Sequence, residues 1–184
     1  ILCPLHRECK KLDTRFFPRT LRLKFGNKTI PVRLGQTTLG SSGIPVYLIE
    51  NDELFDRSGI YANEEGDYPD NPERAFVLSK SALYVSQICG WNPDVFHAHD
   101  WMAASMPAYL NADSSKRKTG KRRKSVLTIH NLEHQGIFSH KDFVQSGLPE
   151  NYWGVEGFEH NNSMNLLKGG IQHADKLTTV SPTY

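Results

Sequence analysis

Pro93–Leu110 reads PDVFHAHDWMAASMPAYL, and the fold turns on how its first eight residues are read. An apolar pair, Val95-Phe96, leads into His97, His99, Asp100 and Trp101 within five positions. Side chains alternate across a strand, so His97 and His99 fall on one side of it. Asp100 and Trp101 then stand at its carboxyl end, where the chain turns into a helix. In open parallel sheets, ligands bind outside the carboxyl ends of the strands. A second stretch repeats the construction: Val126-Leu127-Thr128-Ile129 runs into His130-Asn131. Two neighbouring strands would thus bring Asp100 and His130 to one crevice. Each piece also has a plain reading: His97 as a structural hydrogen-bonding residue, Asp100 as a helix N-cap, Trp101 as core, and Met102 and Met106 as packing one turn apart.

Outward from this segment, the pattern predicts alternating strands and helices. Residues 21–25 alternate apolar and polar, Gly26-Asn27 supplies a turn, and 29–34 return as a hairpin partner. The run IPVYLI at 44–49 suits a strand covered on both faces. Residues 51–70 are polar and rich in Gly, Asp and Asn, as in a long functional loop. Asn71-Pro72-Glu73 opens a helix that Gly90 ends. Strands are expected at 94–97, 126–130 and 177–180, with helices at 101–110 and 163–173. Strands alternating with helices imply βαβ units, hence an α/β fold with a mostly parallel Rossmann-like sheet, flanking helices and an antiparallel hairpin-like insertion.

Composition narrows the function classes. With 184 residues, 38% of them hydrophobic, the chain can bury the core of one domain. No apolar run approaches the ~20 residues of a membrane helix. The amino terminus, ILCPLHRECKK, lacks the order of a secretory signal, and three cysteines without a CxxC pair favour reduced thiols in a cytoplasmic protein. The net charge of +2 conceals an asymmetry: residues 116–124, KRKTGKRRK, hold seven of 22 basic residues, leaving 15 basic against 20 acidic elsewhere. That loop has no interleaved aromatics, so a solvated connection is the better reading and a nucleic-acid partner ranks third among the functions considered. A metal-dependent hydrolase using His97 and His99, with Asp100 or His130 as third ligand, is a further alternative. The barrel in which HxH commonly serves that role needs ~250 residues, which weighs against it.

Three stretches together resemble the starch and bacterial glycogen synthase family: PDVFHAHDW, TIHNLEHQGIF (Thr128–Phe138) and NLLKGGIQHADKLTTVSPTY (Asn165–Tyr184). DRSGIYANEEGDYPDNPERAFVLSKSAL (Asp56–Leu83) resembles the segment that precedes them. The resemblance implies half of a GT-B glycosyltransferase, in which two Rossmann-like domains enclose the active site. It implies glucose transfer from ADP-glucose or UDP-glucose to the nonreducing 4-hydroxyl of an α-1,4-glucan, with retention. No metal or cofactor is implied, the nucleotide sugar being a substrate. Residues 1–184 would form an incomplete amino-terminal, acceptor-side domain, without the first strand and its KxGGL loop and without the carboxyl-terminal domain. Alone it is expected to be inactive, and a non-catalytic glucan-binding module is the competing reading. By motif, His130 and Asp100 would act at the reacting glucose, while Asn131, His99, Tyr61 and Trp101 would bind sugar. Met102 and His134 depart from the family pattern, and Glu133 and Gln135 receive no role.

Overall fold

The computed structural model describes residues 1–113 and 123–182. The chain runs β1 (Leu2–Pro4), β2 (Arg15–Phe25), β3 (Lys28–Thr38), β4 (Pro45–Glu50), α1 (Asp52–Phe55), β5 (Ala62–Asn63), β6 (Gly66–Asp67) and α2 (Asn71–Cys89). It continues through β7 (Val95–His99), α3 (Asp100–Ala103), α4 (Met106–Ala112), β8 (Lys124–Ile129), β9 (Ile137–Phe138) and α5 (His140–Ser146). β10 (Glu159–His160), β11 (Ser163–Asn165), α6 (Leu166–His173) and β12 (Lys176–Thr179) complete it.

Two sheets carry the architecture. One has the order β1-β4-β3-β2, with β1 and β4 parallel and the other pairs antiparallel. The other, β12-β8-β7, is entirely parallel. The hairpin expected around Gly26-Asn27 is present, with Leu23 opposite Ile30, and it continues through β3 into β4 instead of standing apart. Alternation explains its placement: Leu21, Leu23 and Phe25 are buried, while Arg22 and Lys24 between them are exposed. α2 packs across both layers. Its Ala75, Phe76, Val77, Leu83 and Val85 are all buried, because strands and helices cover it from several sides.

Local chemistry sets the helix limits. Gly90 ends α2 at φ +68°. Asp70 holds the N-cap position of α2 without capping it, since its carboxylate is engaged by Arg57 at 2.7 and 2.6 Å. The helix expected over 101–110 is broken into α3 and α4. Pro107 has no N–H to return to the Ala103 carbonyl, so the ladder cannot run through. The helix expected over 163–173 starts three residues later, because 163–165 are strand and the Asn165 side chain caps α6 by accepting from Lys168 N–H at 2.9 Å. The loop at 51–70 contains α1 and the small β5–β6 hairpin. Of the basic loop, 114–122 lie outside the described residues. Arg123 pairs with Asp113, and Lys124 with Asp175 at 3.0 Å.

Candidate functional site

The parallel register of β7 and β8 places His99 opposite Thr128, so both strands empty at the same edge. Asp100 follows β7 directly, and the His130-Asn131 pair follows β8. The two ends are joined: Asp100 Oδ1 accepts from His130 N–H at 2.7 Å and from Asn131 N–H at 3.3 Å. Asp100 opens α3 at φ +54°, with His99 in the N-cap position. Thus the carboxylate does not cap its own helix. It closes the turn after the neighbouring strand. Left-handed backbone costs an ordinary residue ~1–2 kcal/mol, less for Asp, and charge-assisted bonds to two amides offset it.

Imidazoles line the same edge. His97 and His99 rings lie 4.2 Å apart, as their shared strand face requires. His99 Nδ1 meets His130 Nε2 at 2.9 Å, so one ring donates the proton that the other accepts. Burial first, then the neighbouring His97 and His130, hold the His99 imidazole below its ordinary pKa. His99 is therefore neutral at pH 7. His97 Nε2 is occupied at 2.6 Å by Thr128 Oγ1, which itself meets Thr178 Oγ1 at 2.6 Å. His97 is thus tied across the sheet, in line with its structural reading. Among the described residues, no three His, Cys, Asp or Glu side chains are grouped so as to hold a metal ion.

The aromatic pair divides its labour. Tyr61 and Trp101 rings sit 5.4 Å apart, but Trp101 is only 8% exposed whereas Tyr61 is 46% exposed. Trp101 packs against Phe138 and against Gly136, where an added Cβ would lie 2.7 Å from its ring. It is therefore Tyr61 that offers a ring to solvent, with Trp101 behind it. Burial, then the nearby Asp100 carboxylate, raise the Tyr61 hydroxyl pKa, so it stays protonated and can donate. Asn131 keeps its amide near Asp100 while its Oδ1 accepts from Glu133 N–H at 2.9 Å, which folds the turn. Gln135 bridges that turn to α6, accepting from Asn165 Nδ2 at 2.7 Å.

Sequence reasoning gave Arg74 no role of its own, yet it positions Tyr61. Its fully buried guanidinium donates to the Ile60 carbonyl and to Asn71 Oδ1, both at 2.5 Å, and faces the rings of Tyr68 and Phe55. Asn71 in turn donates to the Tyr61 carbonyl at 2.9 Å. The cue was an arginine inside an otherwise apolar helix stripe, where a buried charge needs partners; Nη1 and Nη2 have them, while Nε has none among the described residues.

The chain resembles known proteins along its length. A family model described as the starch synthase catalytic domain matches residues 3–184. Glycogen synthase 2 of Geobacter sulfurreducens is 37% identical over 186 residues, covering 100% of this chain and 38% of the relative. Glycogen synthase of Treponema denticola is 34% identical, again over 100% of this chain and 38% of its own length. A solved structure, the catalytic domain of starch synthase IV from Arabidopsis thaliana bound to ADP and acarbose, superposes with a TM-score of 0.83 at 26% identity. That match too covers 100% of this chain and 38% of the other. The chain thus spans well under half the length of the proteins it matches. With two strand ends meeting at Asp100 and a family match over nearly every residue, the chain belongs to the starch synthase catalytic domain family.

Proposed function

We propose that these 184 residues form the acceptor-side half of a retaining glucosyltransferase site. It moves glucose from ADP-glucose, or UDP-glucose, to the nonreducing 4-hydroxyl of an α-1,4-glucan. One observation carries the reading: the Asp100 carboxylate bound to the His130 and Asn131 amides. That contact fixes an imidazole, an amide and a carboxylate at one strand edge, groups that match the paired donors and acceptors of a sugar. The structural neighbour's ADP and acarbose supply the chemical class, a nucleotide and an oligosaccharide.

In this mechanism Asp100 acts through its second oxygen. Oδ1 is committed to the turn, so Oδ2 accepts from a sugar hydroxyl at a position set before the sugar arrives. His130, its ring held by His99, faces the donor glucose, where the imidazole and adjacent carbonyl stabilise charge as the nucleotide departs. Asn131 Nδ2 donates to a ring hydroxyl. Tyr61 gives the glucan a flat apolar face, backed by Trp101, whose burial keeps that face in place.

The departing diphosphate needs cationic partners, and we place them on a second domain, with an additional strand and glycine-rich loop completing this one. Cytoplasmic residence belongs to the same reading. No helix among the described residues is long and apolar enough to cross a membrane. Incorporation of labelled glucose from ADP-glucose into glycogen tests the reading. The full-length parent should lose ~10²-fold or more of its rate on His130→Ala. Full activity in that variant would refute the site, and turnover by the 184 residues alone would refute its being half of one.

A further inference from the structure

A cleft of about 610 Å³ lies between the outer strand β2, the helix α2 and the end of α4. Arg22, Lys24, Lys80, Tyr84, Tyr109 and Asp113 are among the residues that border it. It stands apart from the Asp100 edge. Asp113, just past α4, is held by Arg123 beside the start of β8, whereas His130 follows the other end of that strand. The charge of the cleft is one-sided. Among the described residues no carboxylate pairs with Arg22, Lys24 or Lys80, and the one acid named, Asp113, is taken by Arg123.

Lys80 stands at its centre. Its Nζ donates to Lys24 O at 2.6 Å and lies 5.1 Å from the centre of the Tyr109 ring. That ring is fixed in turn, its hydroxyl donating to Ser146 O at 2.8 Å. An ammonium has three donors, and here its partners are a carbonyl and a ring, both neutral, so a half-buried charge has no counter-charge. Burial alone lowers the Lys80 pKa, to about 8, the direction expected where nothing negative faces an amine.

The edge of β2 adds donors to this charge. Lys24 O meets Lys80 and Gly26 N–H donates to Gln145 O at 2.6 Å, so even-numbered residues here turn their main chain away from β3. The pairing of Arg22 with Pro31 agrees, because proline has no N–H to exchange. In an antiparallel ladder the N–H and C=O of one residue point the same way, which opens Lys24 N–H beside the Lys80 ammonium. Addition of a further strand is the poorer use of this edge. Lys80 and Gln145 already occupy two successive positions of its ladder.

We propose that this cleft binds a phosphate group, free or as the monoester of a small polar molecule, with its oxygens on the Lys80 ammonium and the Lys24 N–H and with Arg22 adding positive charge. A dianion answers three cations more fully than a lone carboxylate does. The site is separate from the sugar-binding edge and does not rest on the glucosyl-transfer reading.

NMR titration of the 184-residue chain at fixed ionic strength, with inorganic phosphate and separately with glycerol phosphate, tests it. Both should shift the Arg22 and Lys24 amides saturably and raise the Lys80 pKa by about one unit or more, read from its side-chain resonances. Tighter binding of the ester, with Tyr84 responding, would identify a phosphorylated metabolite as the source, and equal affinity would identify free phosphate. Lys80→Met should weaken binding by about tenfold or more, and Lys80→Arg, which keeps the cation, should retain most of it. A response undiminished in Lys80→Met, an unmoved Lys80 pKa, or shifts confined to the Asp100 edge would overturn the proposal. So would protection of the Thr20–Lys24 amides by the acidic peptide Glu-Val-Glu-Val-Glu that phosphate does not displace, since the edge would then be a strand receptor.

Discussion

Replacing Gly170 by alanine sets two effects of known size against each other. Gly170 lies inside α6, where alanine is favoured by about 1 kcal/mol on propensity alone. The structure opposes that gain. A Cβ there would lie 2.6 Å from the Ala104 carbonyl oxygen, 2.8 Å from the Ala104 Cβ and 2.9 Å from a Leu127 methyl. The first of these is backbone, and relief needs a retreat of more than about half an ångström by the segment that ends α3. Overpacking of this kind costs about 1–3 kcal/mol, and contacts to main chain belong at the upper end. The net expectation is destabilisation by about 1–2 kcal/mol, a Tm lower by roughly 2–8 °C for a chain of this size. Calorimetry of Gly170→Ala measures it. Because Ala104 follows the helix that begins at Asp100, the His130 and Asn131 amide resonances should shift as well. An unchanged or higher Tm would show that propensity wins and that the close approach of α6 to α3 is not a constraint.

Three other outcomes are expected. Asp100→Gly removes the acceptor without straining a left-handed backbone, so exchange at His130 and Asn131 should accelerate by about tenfold or more, while Asp100→Asn, still an acceptor through Oδ1, should retain most protection. His6, His99 and His173 all have folded pKa values lowered, chiefly by burial, so the unfolded chain binds more protons near pH 6. The stability held by these neutral rings is complete above about 6.5 and lost as pH falls below it, and urea midpoints from pH 7.5 to 5 should decline, less steeply in His173→Gln. Burial lowers Lys80 to about 8, so stability should rise between pH 8 and about 10.5, by at most about 3 kcal/mol, and Lys80→Met should flatten that rise in the same denaturation series.

What the sequence made legible were features governed by short spacing. Alternation put His97 and His99 on one side of β7, and the repeated strand-then-polar pattern brought Asp100 and His130 to one edge. The Gly26-Asn27 hairpin and the Gly90 stop were equally local. What escaped depended on partners far along the chain. That Asp100 spends one oxygen on backbone amides 30 residues away leaves no mark in HAHD itself. Trp101 and Tyr61 look equivalent as aromatic platforms, and only the closeness of Phe138 and Gly136 to the former buries it. The break at Pro107 and the Asn165 cap were written locally but were outweighed by the apolar pattern around them.

The left-handed turn at position 100 bears on how variants there are interpreted. Only glycine, asparagine and aspartate enter that conformation cheaply, and aspartate alone of the three brings a charge. Alanine, the usual neutral reference, would merge a bent main chain with a missing carboxylate and exaggerate the acid's worth. Glycine and asparagine are the reference pair that separates the two.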